Sequence, residues 1–225
     1  MRKTTIYVLA VLAALLLVRN LHAILLQVPD DAEQGPIYRV IYFHVPAAFT
    51  AFTGFFVALV ASVLYLSTKN FKYDSLAVAV TEVSLAFATV NLVTGSIWAR
   101  VIWGIWWTWD ARLTTMFICF LLYLSYLILR PAIEEPTQRA LISAVFSIFA
   151  FADVPIVWFS IEWFRTQHPA PVLRGGGQMD PFMKSTMYWN WPALMLVAAI
   201  LVLVRLRQEE MRREIDGLRR LAHAV

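Results

Sequence analysis

The sequence GSIWARVIWGIWWTWDARLT occupies residues 95–114 and separates two long apolar stretches of the chain. Five of the nine tryptophans lie in its central twelve residues, Trp98 to Trp109. Residues three, four and seven apart share one face of a helix. Four members of the stretch have that spacing: Trp103, Trp106, Trp107 and Asp110. The spacing predicts a short tryptophan-rich helix with an acidic residue on its aromatic face.

Two interpretations of this tryptophan-rich segment stay open from the residues alone. Tryptophan is enriched where a helix meets the bilayer surface, so the segment is in part typical of an aromatic belt. A belt accounts for one or two tryptophans per helix end, and this segment has five together with Arg100, Asp110 and Arg112. Flat rings beside fixed charges favour a surface for a large planar ligand that carries acidic groups.

The composition is that of a membrane protein. Of the 225 residues, 60% are hydrophobic and only 15% are charged, and the mean hydropathy is +0.65. Such values exclude an ordinary soluble domain. The formal charge of +4 is therefore a topology signal, and no nucleic-acid partner is predicted. Cys119 is the only cysteine, so the chain offers no disulfide and no covalent haem attachment site.

Six segments are long and apolar enough to cross a bilayer, which needs about 20 residues. They are approximately residues 4–27, 40–66, 76–98, 113–130, 140–163 and 188–206. We therefore predict an all-α integral membrane protein with six transmembrane helices in a single membrane domain, residues 1–225. The short tryptophan-rich helix is expected at the interface between spans three and four. Pro155 is expected to kink span five.

The distribution of basic residues predicts the orientation. With both termini inside, twelve of the nineteen Lys and Arg residues fall on the inner side, as the positive-inside rule requires. Both termini are thus expected in the cytoplasm, including the charged tail of about residues 207–225. The tryptophan-rich segment, about 95–114, is expected outside. The N-terminal span has basic residues before an apolar run but no convincing cleavage site, so we read it as retained.

Two histidines are predicted on the same outer side as the tryptophans. His44 begins span two and His168 follows span five. A neutral imidazole is a good axial ligand for haem iron, and two of them complete its coordination. A lone histidine in such a place is more typical of an interfacial hydrogen-bonding residue than of a ligand. With two histidines beside a tryptophan cluster, the hydrogen-bonding and haem-ligand interpretations are about equally supported. His22 is a weaker candidate. Two histidines are too few for a closed zinc site.

Other ionisable residues have less specific readings. Arginine pairs with carboxylates through a planar fork, so three outer arginines are candidates to bind haem propionates: Arg39, Arg100 and Arg112. Glu82 and Asp153 lie within spans, where charges are costly. They indicate either a transport path or, more commonly, internal hydrogen-bond anchors.

The tryptophan-rich segment also resembles a known family. The run Trp103-Gly-Ile-Trp-Trp-Thr-Trp-Asp110 is similar to the WWD signature of haem-handling proteins in cytochrome c maturation. The run from Tyr38 to Ala48 and the run from Ser160 to Trp163 resemble the CcmC family of the Ccm system. The resemblance extends from about Asp31 to Arg207, and six spans favour CcmC over its larger relatives CcmF and CcsA.

The resemblance implies a site and a set of partners. It implies haem b, bound on the outer face of the bacterial inner membrane, with His44 and His168 as axial iron ligands. It also implies a WWD surface that contacts haem and the haem chaperone CcmE, formed by Trp98, Trp103, Trp106, Trp107, Trp109 and Asp110.

The family acts with the membrane subunits CcmB and CcmD and the ATPase CcmA, as a haem transfer protein rather than a conventional enzyme. Two alternatives are a permease that moves haem across the bilayer and a CcsA-like cytochrome c synthase component.

Overall fold

A computed structural model of the protein describes residues 2–169 and 179–222. These residues form seven α-helices and no β-strand. The helices are α1 (Arg2–His22), α2 (Ile41–Thr68), α3 (Phe71–Trp103), α4 (Ala111–Leu129), α5 (Pro136–Phe151), α6 (Asp153–Trp163) and α7 (Pro181–Ala222). A π-helical turn follows α1 at Ala23–Gln27, and short 3₁₀ helices precede α2 at Pro36–Val40 and follow α4 at Arg130–Ala132.

Six stretches of helix in the described residues are long and apolar enough to span a membrane, which confirms the predicted all-α six-span fold. Helices α5 and α6 together make one of these spans. An even number of spans places the two ends of the chain on the same side of a bilayer. We call the side with residues 104–110 and 164–169 the tryptophan end, and the opposite side, with the chain ends, the terminal end.

The last helix is much longer than its predicted span. Helix α7 has 42 residues, which is about 63 Å at 1.5 Å per residue, against a bilayer core of about 30 Å. Hydropathy detects only its apolar middle. The predicted tail from residue 207 is therefore a continuation of this helix at the terminal end.

The prediction of a short tryptophan-rich helix between spans three and four is wrong. Helix α3 continues to Trp103, and residues 104–110 have no regular structure before α4 begins. Gly104 ends α3 in the left-handed conformation, with φ +76°, which glycine adopts without strain. Asp110 then caps the N-terminus of α4. Trp103, Trp106, Trp107 and Asp110 consequently do not share one helical face.

Span five is interrupted near its middle, as Pro155 predicts. Proline has no N–H, so Pro155 cannot donate to the carbonyl of Phe151 one turn earlier. Helix α5 ends at that residue, and α6 begins at Asp153 after the single turn residue Ala152. The break redirects the second half of the span toward the tryptophan end, where Trp158 and Ile161 line the cavity described below.

The interior is built on close contact between α2 and α3. A Cβ atom on Gly54 would lie only 1.8 Å from Oγ of Ser84, so the two helices approach where glycine leaves room. Small interfacial residues allow such contacts between membrane helices. Beside this contact, Phe55 of α2 stacks on Tyr123 of α4 with ring centroids 3.7 Å apart. These helices therefore form a rigid frame below the tryptophan end.

A polar chain joins the first and last helices to this frame. Pro46 lies inside α2 and leaves the Tyr42 carbonyl without its helical donor. The side-chain amide of Asn190 donates to that carbonyl instead. Asn20 of α1 then donates to Asn190 Oδ1 over 3.3 Å and to the Trp189 carbonyl over 2.9 Å. The unsatisfied backbone group in α2 thus becomes an anchor for α1 and α7.

Candidate functional site

One large cavity opens at the tryptophan end. It has a volume of about 1360 Å³ when its open mouth is included. Its wall comes from α2, α3, α4, α6 and α7 and from the chain after α6. The lining is mostly apolar and aromatic, with two imidazoles, one guanidinium and one buried amide: His44, His168, Arg112 and Asn91.

His44 projects from the first turns of α2 and is held by α3. Its Nδ1 lies 3.1 Å from Oγ1 of Thr94. The Thr94 hydroxyl donates to the Val90 carbonyl, 2.6 Å away. The side-chain amide nitrogen of Asn91 lies 3.3 Å from Nδ1 and 3.2 Å from Nε2, and it donates to the His44 carbonyl over 3.1 Å. Thr94 and Asn91 thus orient the His44 ring at the cavity wall, as hydrogen-bonding neighbours do for metal-binding histidines.

The backbone of α3 leaves space for the His44 ring. A Cβ atom on Gly95 would lie 2.9 Å from Cε1 of His44, closer than real Cβ contacts. Trp98, one turn further along, meets the imidazole edge-on with centroids 5.9 Å apart. Gly95 and Trp98 therefore set the position of the imidazole at the cavity wall.

His168 enters the same cavity from the chain that follows α6. Its Nδ1 lies 2.9 Å from the Pro169 carbonyl, which can only accept, so this nitrogen donates and Nε2 of the neutral ring has a lone pair. Burial, reinforced by the guanidinium of Arg112, lowers the pKa of His168 below its ordinary value. The imidazole is consequently neutral at neutral pH, the form that binds a metal.

Asp110 connects this chain segment to the tryptophan-rich segment. Its Oδ1 accepts from the backbone N–H of Arg112 over 2.9 Å, which caps α4. The same carboxylate accepts from the Thr166 hydroxyl over 2.7 Å and from the Gln167 N–H over 2.8 Å. The Asp110 carboxylate therefore both caps α4 and binds the chain at residues 166 and 167.

The five predicted tryptophans divide into two groups. Trp98, Trp103 and Trp107 line the cavity, whereas Trp106 and Trp109 are 59% and 75% exposed. Trp109 contacts Trp107 edge-on, with ring centroids 6.0 Å apart. One group is thus placed to contact a ligand, and the other is accessible to a second protein.

The three predicted arginines also have different surroundings. Arg112 lines the cavity and donates to the Val157 carbonyl. Arg39 pairs with Asp30 and donates to the carbonyls of Ile24 and Val28, so it secures the connection between α1 and α2. Arg100 donates to the Gly104 carbonyl at the end of α3. Arg112 is the one of the three at the cavity wall.

The remaining ionisable candidates lie away from the cavity lining. Glu82 pairs with Arg205 toward the terminal end. Asp153 is buried next to the Cys119 thiol. His22 lines a separate hollow between α1 and α7. His223, Pro171 and the glycines 175–177 lie outside the described residues.

Sequence reasoning missed several lining residues. Trp158 packs its ring 5.6 Å from Phe49 and forms part of the wall. Met116, Met187 and Asn91 also contribute. All four lie within apolar spans, where a side chain that lines a cavity cannot be told from one that faces lipid. The only sequence signal for any of the four was that Trp158 lies one turn after Pro155, the residue expected to kink span five.

The cavity suits a large, flat, mainly apolar ligand with a metal and acidic groups. Two imidazoles at the wall of one cavity are suitable ligands for a metal centre that such a ligand carries. Nε1 of Trp107 is buried and has no hydrogen-bond acceptor among the described residues, which is uncommon in proteins. A ligand carboxylate would supply one. Among these residues no three His, Cys, Asp or Glu side chains cluster to hold a bare metal ion.

The fold and the site define a multi-pass membrane protein with a two-histidine, aromatic-walled binding cavity at one end of its helix bundle. Comparison with known proteins specifies the class further. The chain belongs to the CcmC family, Heme exporter protein C, whose sequence model matches residues 1–221. The resemblance inferred from the WWD signature is thereby confirmed.

Relatives in several bacteria are similar over most of the chain. The Heme exporter protein C of Bradyrhizobium diazoefficiens is 35% identical over 192 residues, which cover 84% of this chain and 73% of the relative. That of Escherichia coli K12 is 33% identical over 180 residues, covering 80% and 73%. That of Paracoccus denitrificans is 33% identical over 196 residues, covering 84% and 80%.

Proposed function

We propose that this protein binds haem in the tryptophan-end cavity, with His44 and His168 as axial ligands of the iron, and passes it to a haem chaperone. The observation that carries the proposal is that these two histidines, far apart in sequence, line one aromatic cavity. Relatives named Heme exporter protein C support haem as the ligand. The proposed cargo is haem b, held without a covalent bond, since the only cysteine, Cys119, is buried in the interior.

The walls of the cavity fit the parts of a haem molecule. The porphyrin would lie between the two histidines, against the rings of Trp98, Trp103 and Trp107. Arg112 would pair with a propionate, for which a guanidinium is well suited, and the Trp107 N–H would donate to a propionate oxygen.

The proposed setting is the bacterial inner membrane, with the tryptophan end in the periplasm and both chain ends in the cytoplasm. The excess of basic residues on the terminal side supports this orientation. The proposed recipient is the chaperone CcmE, which would dock on exposed Trp106 and Trp109. CcmA, CcmB and CcmD would complete an exporter complex, consistent with the names of the relatives.

Haem titration of the purified full-length protein in detergent tests the proposal. We expect ferric haem to give the visible spectrum of a six-coordinate, low-spin iron. His44→Ala and His168→Ala should each convert this spectrum to that of a five-coordinate or high-spin species. The double variant should lose stable binding, because both iron ligands are gone.

His22→Ala is the matched control, since His22 lies in a hollow separate from the cavity. Its spectrum should equal that of the unchanged protein. The proposal is wrong if the unchanged protein takes up no haem, or if the double variant binds haem as the unchanged protein does.

A further inference from the structure

The chain that presents His168 depends on few backbone contacts. After α6 closes with the bond from Phe164 N–H to the Ser160 carbonyl, 3.1 Å long, the next residues have no regular structure. Their fixed points are side-chain bonds. The His168 N–H donates to Oγ1 of Thr166 over 2.9 Å, and Thr166 and Gln167 both donate to Asp110.

The hydrogen bonds form a directed chain. Thr166 has one hydroxyl hydrogen, and it points to the Asp110 carboxylate, an acceptor at any pH where that group is ionised. The lone pairs of the same hydroxyl oxygen then accept the His168 N–H. The backbone of His168 is thus tied to Asp110 through Thr166, with Gln167 as a second tie. Bonds to a carboxylate are stronger than neutral ones.

The geometry points to Asp110 as the residue that positions His168 for iron ligation, an inference that rests on the proposed function. Asp110 contacts the chain before His168 and is absent from the cavity lining, so it acts through Thr166 and Gln167. Asp110 also accepts the Arg112 N–H and so caps α4, and this bond holds the carboxylate in place. The second axial ligand is therefore held by the last residue of the tryptophan-rich segment.

Two substitutions separate this role from the helix cap. Thr166→Val removes the hydroxyl at nearly constant size and leaves Asp110 and its cap unchanged. Asp110→Asn can keep the helix cap and the Thr166 bond, which share Oδ1, but it puts an amide donor in place of Oδ2 and so loses the Gln167 bond. Thr166→Ser keeps the hydroxyl and is the matched control.

The measurement is the visible and electron paramagnetic resonance spectrum of the ferric haem complex of each full-length variant, with haem loss to excess apomyoglobin. We expect Thr166→Val and Asp110→Asn to acquire the spectrum of His168→Ala in part or in full. Haem loss should accelerate about 10- to 100-fold, the usual effect of removing a group that orients a metal ligand. Thr166→Ser should retain the original spectrum.

The inference is overturned if Thr166→Val and Asp110→Asn both keep the low-spin spectrum and the haem loss rate of the unchanged protein while His168→Ala does not. If His168→Ala itself leaves the spectrum unchanged, the proposed function is wrong. The two failures are therefore distinguishable. A role of Asp110 in stability alone would lower the unfolding temperature without changing the spectrum.

Discussion

The two ends of the helix bundle use their charged residues in opposite ways. At the terminal end, Asp74 is buried between Arg130 and Arg213, with Arg130 forming two bonds of 2.7 and 2.9 Å to its carboxylate. Glu82 and Arg205 form a further pair. At the tryptophan end, the cavity presents neutral imidazoles and aromatic rings, and Asp110 binds backbone and hydroxyl groups.

This difference shows how one apolar bundle supports both stability and binding. The Asp74 carboxylate binds two guanidinium groups, so α3, α7 and the turn after α4 are joined where the charges meet. An imidazole is stable in an apolar wall when polar groups bind its ring nitrogens, as in His44 and His168. The terminal end is thus held together by paired charges around a polar hollow, and the tryptophan end offers an apolar, aromatic cavity to a ligand.

The largest expected effect, on the free energy of unfolding, comes from removing one member of the buried ion pair at the terminal end. Arg130→Ala leaves the Asp74 carboxylate buried with only Arg213 as a partner. Removing one member of a buried pair costs about 3–5 kcal/mol. We expect a marked fall in the unfolding temperature in detergent, whereas any haem bound before unfolding should show an unchanged spectrum.

Arg219→Ala is the control for that substitution, because Arg219 is exposed and pairs with Asp216 only across one helical turn. Such pairs contribute about 0.2–1 kcal/mol. Equal unfolding temperatures for the two variants would show that the buried pair does not stabilise the terminal end.

A smaller effect, on haem affinity, is expected from adding a methyl group at Gly95 in the cavity wall. In Gly95→Ala the new methyl group would lie 2.9 Å from the His44 ring, so the imidazole must move. We expect haem affinity to fall about tenfold, with no large loss of stability. Competition with apomyoglobin measures the affinity.

Gly217→Ala is the matched control, since nothing lies within 4 Å of its added Cβ. This substitution should leave haem affinity unchanged and stabilise the helix by up to about 1 kcal/mol. In a His44→Ala background, Gly95→Ala should have no further effect on haem. A full additional loss in that background would contradict the proposed role of Gly95.

The smallest effect on haem binding is expected at Trp109. Trp109 is 75% exposed, and surface substitutions usually change free energies by no more than about 0.5 kcal/mol. Trp109→Ala should therefore keep haem affinity within about twofold while slowing transfer to CcmE. Trp107→Ala, in the cavity wall, should instead weaken haem retention itself.

A transfer assay with purified CcmE, alongside haem titration, separates the two tryptophans. If both variants lost haem affinity equally, the division between lining and exposed tryptophans would have no functional meaning. If Trp109→Ala transferred haem at the original rate, the proposed docking surface would be wrong.

The fold was largely predictable because membrane spans follow from local composition. Each apolar run of about 20 residues must satisfy its backbone within a helix, so six runs predict six spans. The predicted ends of the helices were less accurate than their number. The tryptophan-rich segment has helical spacing, but Gly104 and the Asp110 cap end and restart the helices at positions that periodicity does not detect.

The sequence alone determined the six-span architecture, the WWD signature, the family, and the presence of two histidines at span ends predicted to lie on one side. The tertiary structure decided which side chains meet. It brought Trp158, Asn91 and Gly95 to the cavity, assigned Arg39 and Arg100 to backbone carbonyls, and linked Asp110 to Thr166. The physical reason is that hydropathy and helix formation depend on neighbours in sequence, whereas a cavity depends on packing between helices and on where unsatisfied polar groups find their partners.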